Sequence, residues 1–328
     1  MVPDMNPPPG AAAFLAMHDW AEANIRPLAG DASFRRYFRV QAGSRSAILM
    51  DAPPPNEDTR PFIAIAGWLG AHGFGAPAIL AADPAAGLVL LEDFGDARMR
   101  ETVDAAPESE HRIYAEAIDL LVALRAKGAA DLPFYDRAIY QREAALLPEW
   151  YCPALGLDVD AAGYTAAWDA VLTPVETAKP VVTVLRDYHA ENIMLVDGRE
   201  ALGLLDFQDA LAGHPAYDLV SLLQDARREV PATLEAEMLG RYRGATGEGD
   251  TFGAAYAVLG AQRNAKIIGI FTRLWQRDGK PRYGAMCPRV WGYLERDLAH
   301  PALAPVAAWF DANIPAHLRG DPMVLAGE

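Results

Sequence analysis

Val182-Thr183-Val184-Leu185-Arg186-Asp187-Tyr188-His189-Ala190-Glu191-Asn192-Ile193-Met194-Leu195-Val196-Asp197-Gly198-Arg199-Glu200-Ala201-Leu202-Gly203-Leu204-Leu205-Asp206-Phe207-Gln208-Asp209 is the stretch on which the fold turns. Val182–Leu185 reads as a short buried strand. Ile193–Val196 and Ala201–Leu205 are two further apolar runs, and Asp197-Gly198 between them is a strong hairpin signal. In such a hairpin Asn192 enters the ribbon and Asp206 leaves it. The two side chains then lie side by side at the open end, about 5 Å apart. An amide oxygen and a carboxylate around one small volume suit a hard, oxygen-seeking cation such as magnesium. Asp187 precedes Asn192 by five residues, on the turn leading into the hairpin, within reach of the same volume.

Three such residues suit phosphoryl transfer, which needs a metal to neutralise phosphate charge and a carboxylate to orient the attacking hydroxyl. Taken alone, Asp-x4-Asn also fits a polar hairpin in an ordinary α/β domain. Combined with the later Asp206-Phe207, it resembles the catalytic and metal loops of the kinase fold. The continuation Asp206-Phe207-Gln208-Asp209-Ala210, then Gly213-His214-Pro215-Ala216-Tyr217-Asp218-Leu219, resembles the aminoglycoside phosphotransferase branch, which includes choline and small-sugar kinases. The resemblance implies an α+β, bilobal protein-kinase-like fold. A small antiparallel β-sheet N-lobe would span residues 1–96 and a mainly helical C-lobe residues 97–328. It also implies ATP and Mg2+ as cofactors, Asp187 as the catalytic residue that orients the attacking hydroxyl and accepts its proton, and Asn192 and Asp206 as metal ligands.

The rest of the composition agrees. A chain of 328 residues allows about two domains, each able to bury a core. A net charge of −15 argues against nucleic-acid and anionic-membrane partners. Cys152 and Cys287 are too few for a disulfide framework, so a reduced, cytoplasmic setting is expected. No signal peptide and no apolar run of membrane-spanning length is visible. A monomer acting on small molecules is the simplest expectation.

Before the deciding stretch, Ala11–Ile25 reads as a helix. Gly30-Asp31-Ala32-Ser33 is a turn, and Phe34–Val40 alternates. Phe34, Arg36, Phe38 and Val40 share one face, while Arg35, Tyr37 and Arg39 share the other. Ser46–Asp51 is the partner strand. A plain hairpin with solvated arginines accounts for this stretch equally well. Under the resemblance it is the nucleotide loop, with Ser33 and Phe34 over the phosphates. Kinases carry a lysine on the second of these strands. Here Ile48, Leu49 and Met50 occupy it, and lysine occurs only at 127, 179, 266 and 280. Arg36, which interrupts an apolar face, is the expected substitute, since arginine grips phosphate bidentately. Arg60–His72 reads as a helix, and Ala78–Ala81 and Leu88–Leu91 as strands. Glu92, Asp93 and Phe94 take the position of the adenine-binding hinge.

The later chain reads as helices over His111–Arg125, Asp136–Pro148, Tyr164–Thr177, Pro215–Arg228, Thr251–Arg277 and Gly284–Leu298. Asp218 reads as structural, at a helix start. Four stretches narrow the resemblance to the bacterial anomeric amino-sugar kinases of peptidoglycan recycling. They are Gly30–Phe38, Met50–Pro54, Glu149-Trp150-Tyr151, and Gln262–Lys266 with Gly279–Tyr283. The substrate implied is N-acetylmuramate or N-acetylglucosamine, phosphorylated at the anomeric oxygen. Arg142, Glu143, Trp150, Arg263 and Trp275 are candidate sugar contacts, set against plain packing or solvation. Leu185 stands where some of the wider family carry histidine. Two rival readings remain: an aminoglycoside or choline-type phosphotransferase, and a catalytically silent nucleotide-binding regulator.

Overall fold

The computed structural model describes residues 6–28, 34–198 and 202–327. The chain divides into two compact units, one of residues 1–105 and 191–209, the other of 106–190 and 210–328.

The first unit is built on a five-stranded sheet, β1 (Asn24–Pro27), β2 (Arg36–Ala42), β3 (Arg45–Asp51), β4 (Ile79–Asp83) and β5 (Leu88–Glu92). Its order is β1-β2-β3-β5-β4, with antiparallel pairing throughout. The register aligns Phe38, Leu49 and Leu90 across three strands. All three are at most 1% exposed and pack with Phe14, Leu15 and Trp20. Burying each such side chain stabilises by about 1.5–3 kcal/mol. The expected alternation therefore holds at Phe38 and Val40. It fails at Phe34, which is 69% exposed and precedes the first paired residue of β2.

Two further expectations in this unit need correction. The Ala11–Ile25 helix ends at Met17, and Asp19 and Glu22 take left-handed backbone angles. Asn24–Pro27 then pairs with β2 instead, with Ile25 opposite Val40. β-branched Ile25 gains more on a half-buried edge strand than in a helix. The Asp197-Gly198 hairpin is also looser than read. Its strands are only Ile193–Met194 and Gly203–Leu204, with residues 195–202 between them. Leu195 leaves the ladder because its N–H bonds Ala97 O at 2.8 Å, and Arg98 bridges Met194. On the other side Gly203 bridges Gly75, where a Cβ would sit 2.2 Å from Leu202 O. Only glycine admits that approach.

The second unit is mainly helical. Its longest helix, Thr251–Gln276, has a buried face throughout. The helices Glu110–Lys127, Ala161–Glu176 and Cys287–Leu298 match their expected positions within a few residues. Asp136–Pro148 is shorter, Arg137–Ala144, and passes into a π-helical turn at Leu147–Tyr151. Pro215–Arg228 shortens to Ala216–Leu223. The helix Ala232–Thr246 was not anticipated, although Leu234, Met238 and Tyr242 repeat at four-residue spacing and are buried. Val182–Val184 pairs antiparallel with Leu211–Gly213. Cys152 and Cys287 are buried and unbridged. Among the described residues no helix is long and apolar enough to cross a membrane.

Candidate active site

The candidate residues fall in both units. In the first, Asn192 ends a 3-10 turn, Ala190–Asn192, and its carbonyl accepts the Leu205 N–H at 2.9 Å. The register, Ile193 with Leu204, sets Asn192 opposite Leu205. Asp206 is therefore one residue beyond the position directly facing Asn192. Its positive φ of 57° turns the chain there, and its side chain is 43% exposed. Next to it, Phe207 is fully buried and stacks on Phe62 at 4.9 Å. The Gln208 amide donates to Asp206 Oδ1 at 3.0 Å and to Asp209 Oδ2 at 3.1 Å. The donor set of Asn192 and Asp206 fits magnesium, which takes one or two protein oxygens and completes its shell with phosphate and water. Among the described residues no group of three His, Cys, Asp or Glu forms a denser metal cage.

Arg36, the first residue of β2, and Arg35 just before it pair with different acids. Arg36 is engaged by Asp51, with Nε at 2.8 Å and Nη2 at 2.6 Å from Oδ2. Asp51 is nearly inaccessible, so Arg36 is held against a buried carboxylate. Arg35, just ahead of the strand, has Nη2 3.5 Å from Asp206 Oδ1 and Nε 3.6 Å from Glu57 Oε2. It is thus a basic residue beside the candidate metal ligand. Burial pushes the neighbouring Tyr37 phenol up to about 12, partly offset by Arg35, so Tyr37 stays neutral. Reading Arg36 as the break in an apolar stripe overlooked Asp51, its partner fifteen residues on, and Glu57, which needs the fold to meet Arg35.

The hinge candidates are held by their side chains. Glu92 accepts the Ala78 N–H at 3.2 Å. Asp93 receives Arg39, the Ser46 hydroxyl and the Gly95 N–H. Phe94 lies against Gly203, where a Cβ would come within 2.7 Å of its ring. Phe34 is exposed, and Ser33 lies outside the described residues.

In the second unit, Asp187 follows a backbone turn tied down from several sides. Arg186 has a φ of 70°, in the left-handed region that side-chain-bearing residues rarely adopt. Asp218 accepts the Leu185 N–H at 2.7 Å and the Arg186 N–H at 2.9 Å. The Ser221 hydroxyl donates to Arg186 O at 3.0 Å, and Arg263 donates to Ser221 at 2.8 Å. Further along, the Ala190 N–H reaches Asp225 at 3.3 Å, and the Tyr188 hydroxyl donates to Ala117 O at 2.8 Å. A left-handed residue persists when its surroundings over-determine it, and these bonds do so. Asp218 thus has the structural role expected of it. Burial pushes its carboxyl up to about 7, against the pull of the two N–H groups. Burial likewise pushes His189 down to about 4, keeping it neutral beside Arg227.

The candidate sugar contacts separate. Glu143 and Arg263 are buried beneath the Asp187 loop, and Arg263 is only 3% exposed. Arg142 is exposed, and Trp150, on the π-helical turn, and Trp275 are half-buried. Lys266, three residues after Arg263, was passed over, although one helical turn puts it on the same face.

The model of the phosphotransferase enzyme family matches residues 24–256, and the chain belongs to that family. An N-acetylmuramate/N-acetylglucosamine kinase of Caulobacter vibrioides is 39% identical, covering 94% of this chain and 97% of that protein. One from Pseudomonas aeruginosa is 41% identical, with 87% and 88% covered. Among solved structures, a choline/ethanolamine kinase family protein from Mesorhizobium loti matches with a TM-score of 0.59 at 18% identity, covering 91% and 96%. An ADP-bound aminoglycoside phosphotransferase matches with 0.61 at 12%, covering 89% and 98%. These structures share the fold, and at such identities the likeness extends no further.

Proposed function

We propose that this protein is an ATP-dependent kinase that phosphorylates the anomeric hydroxyl of N-acetylmuramate or N-acetylglucosamine in peptidoglycan recycling. The observation that carries this reading is an identity near 40%, over 87–94% of the chain, to kinases named for those two sugars. Residues 1–96 serve as the nucleotide lobe and 97–328 as the sugar lobe, acting as a cytoplasmic monomer. Asp187 orients the sugar hydroxyl and accepts its proton. Asn192 and Asp206 hold Mg2+, which when bound neutralises phosphate charge. Arg35, facing Asp206, takes the phosphate-binding role first assigned to Arg36 and elsewhere filled by lysine. The backbone around Glu92–Phe94 receives adenine, with the Ser33–Phe34 turn over the phosphates. Positioning and charge neutralisation do most of the catalytic work.

The test is ATP consumption with N-acetylmuramate, N-acetylglucosamine, choline and an aminoglycoside, with phosphorus NMR locating the phosphate on any product. A sugar 1-phosphate is expected, and Asp187→Asn should abolish turnover while retaining nucleotide binding. Turnover of choline or the aminoglycoside alone, or an active Asp187→Asn variant, contradicts the reading.

A further inference from the structure

Glu143 is where the charges beneath the Asp187 loop converge. It lies in the last turn of the helix Arg137–Ala144 and is buried. Its carboxylate accepts from the Tyr135 hydroxyl and the Arg186 guanidinium. The Lys266 ammonium, from the long helix, lies 3.1 Å from Oε1. The Tyr135 hydroxyl also meets the Tyr217 hydroxyl at 3.0 Å, and Lys266 Nζ is 3.5 Å from the same Tyr217 oxygen. Two cations therefore share one buried carboxylate, leaving a net positive charge that a sheltered site does not tolerate without a counter-charge. The next residue after Arg186 is Asp187.

The charged groups around Asp187 come from three elements. Its own loop contributes Arg186 and neutral His189. The long helix contributes Lys266 and Arg263, and the helix Ala216–Leu223 contributes Asp218. Burial pushes the Asp187 carboxyl up. Lys266 leads the cations that pull it back, ahead of Arg263 and Arg186, and they leave it below the usual carboxylate range.

We propose that Lys266 is a positioning residue for Asp187: through Glu143 it fixes Arg186 and the turn in front of Asp187, and with Arg186 and Arg263 it sets the positive surroundings of that loop. This rests on Asp187 being the group that accepts the hydroxyl proton. The contacts of Lys266 are with Glu143 and Tyr217. Its effect passes through the loop and through the field at one carboxylate. Arginine at 266 retains the charge and reaches Glu143, so it preserves the arrangement, whereas methionine retains only the length of the stem.

The experiment compares wild type, Lys266→Met, Lys266→Arg and Glu143→Gln with N-acetylmuramate from pH 5 to 9. Thermal unfolding checks that each variant folds. Lys266→Met should lower kcat about 10- to 100-fold with KM for ATP within about 3-fold, and move the acid limb of kcat/KM to higher pH. Lys266→Arg should restore kcat to within about 3-fold. A substrate-free readout runs alongside: the carbon-13 carboxyl signal of Asp187, assigned by its loss in Asp187→Asn. In Lys266→Met it should titrate at higher pH than in wild type, and in Lys266→Arg it should not move. An unmoved signal in Lys266→Met overturns the proposal whatever the substrate proves to be. So does a Lys266→Met enzyme that loses only affinity for the sugar, which would make Lys266 a sugar ligand. A shifted signal in a protein inactive on every sugar would instead uphold the positioning and sink the proposed function.

Discussion

Replacing Asp218 by asparagine removes one oxygen acceptor and changes almost nothing in volume. In the native protein Oδ2 takes the Leu185 N–H and Oδ1 takes the Arg186 N–H, both out of contact with water. An amide can serve one of them and turns its own NH2 toward the other. A buried N–H left facing an amide NH2 in place of an acceptor costs about 1–3 kcal/mol. Part of the left-handed strain at Arg186, itself about 1–3 kcal/mol, is then no longer countered. The expected destabilisation is about 2–4 kcal/mol. A protein with about 5–15 kcal/mol in hand remains folded after that loss. The measurement is urea unfolding followed by tryptophan fluorescence at pH 6, below the value to which burial raises Asp218, so that relief of a buried charge in the asparagine variant does not mask the lost bonds. Activity should fall more steeply than stability, by more than about 10-fold in kcat, because the relaxed turn carries Asp187 with it. An unfolding free energy within about 0.5 kcal/mol of wild type would show that the two N–H bonds do not hold the loop.

Arg35 and Arg36 can be separated by calorimetric titration with ATP and magnesium. Arg35→Met should weaken binding at least about tenfold, or about 1.4 kcal/mol, at unchanged thermal stability. Arg36→Met should do the opposite, leaving affinity near wild type while stranding the Asp51 carboxylate and lowering Tm. The reverse pattern would return the phosphate-binding role to Arg36. His214 predicts a specific acid sensitivity. Burial, helped by Arg125, pushes its imidazole down to about 4, and Nδ1 accepts the Ala216 N–H at 3.1 Å. The unfolded chain, near 6.5, takes up its proton first as pH falls, so this contribution is complete above about 6.5 and is lost toward 4. Between pH 7.5 and 5 wild type should lose about 2 kcal/mol more than His214→Asn, which keeps an acceptor without a titrating ring. Equal losses in the two proteins would refute this.

Local signals carried the sheet and the helices well. The alternation at Phe38 and Val40, the partner strand to Asp51 and the period of Thr251–Gln276 are each written within a dozen or two residues. What escaped was decided by residues far apart. The short edge strand at Asn24–Pro27 exists because β2 is there to pair with it, and the loose hairpin exists because Ala97 and Gly75 compete for its backbone. The same holds at the candidate site. Asp187, Asn192 and Asp206 were visible as a spacing. That Arg36 answers to Asp51, and that Glu143 gathers Arg186 and Lys266 from 43 and 123 residues away, is a product of the fold.

The helix Ala216–Leu223 spans eight residues, and its Asp218 and Ser221 both grip the segment just ahead of Asp187. One residue more or fewer between those two grips would swing the second about 100° around the helix axis. Side chains there can drift in evolution so long as an acceptor and a hydroxyl remain, but the count between them cannot. Insertions and deletions along this lineage should accumulate on either side of that single helical turn and leave its length untouched.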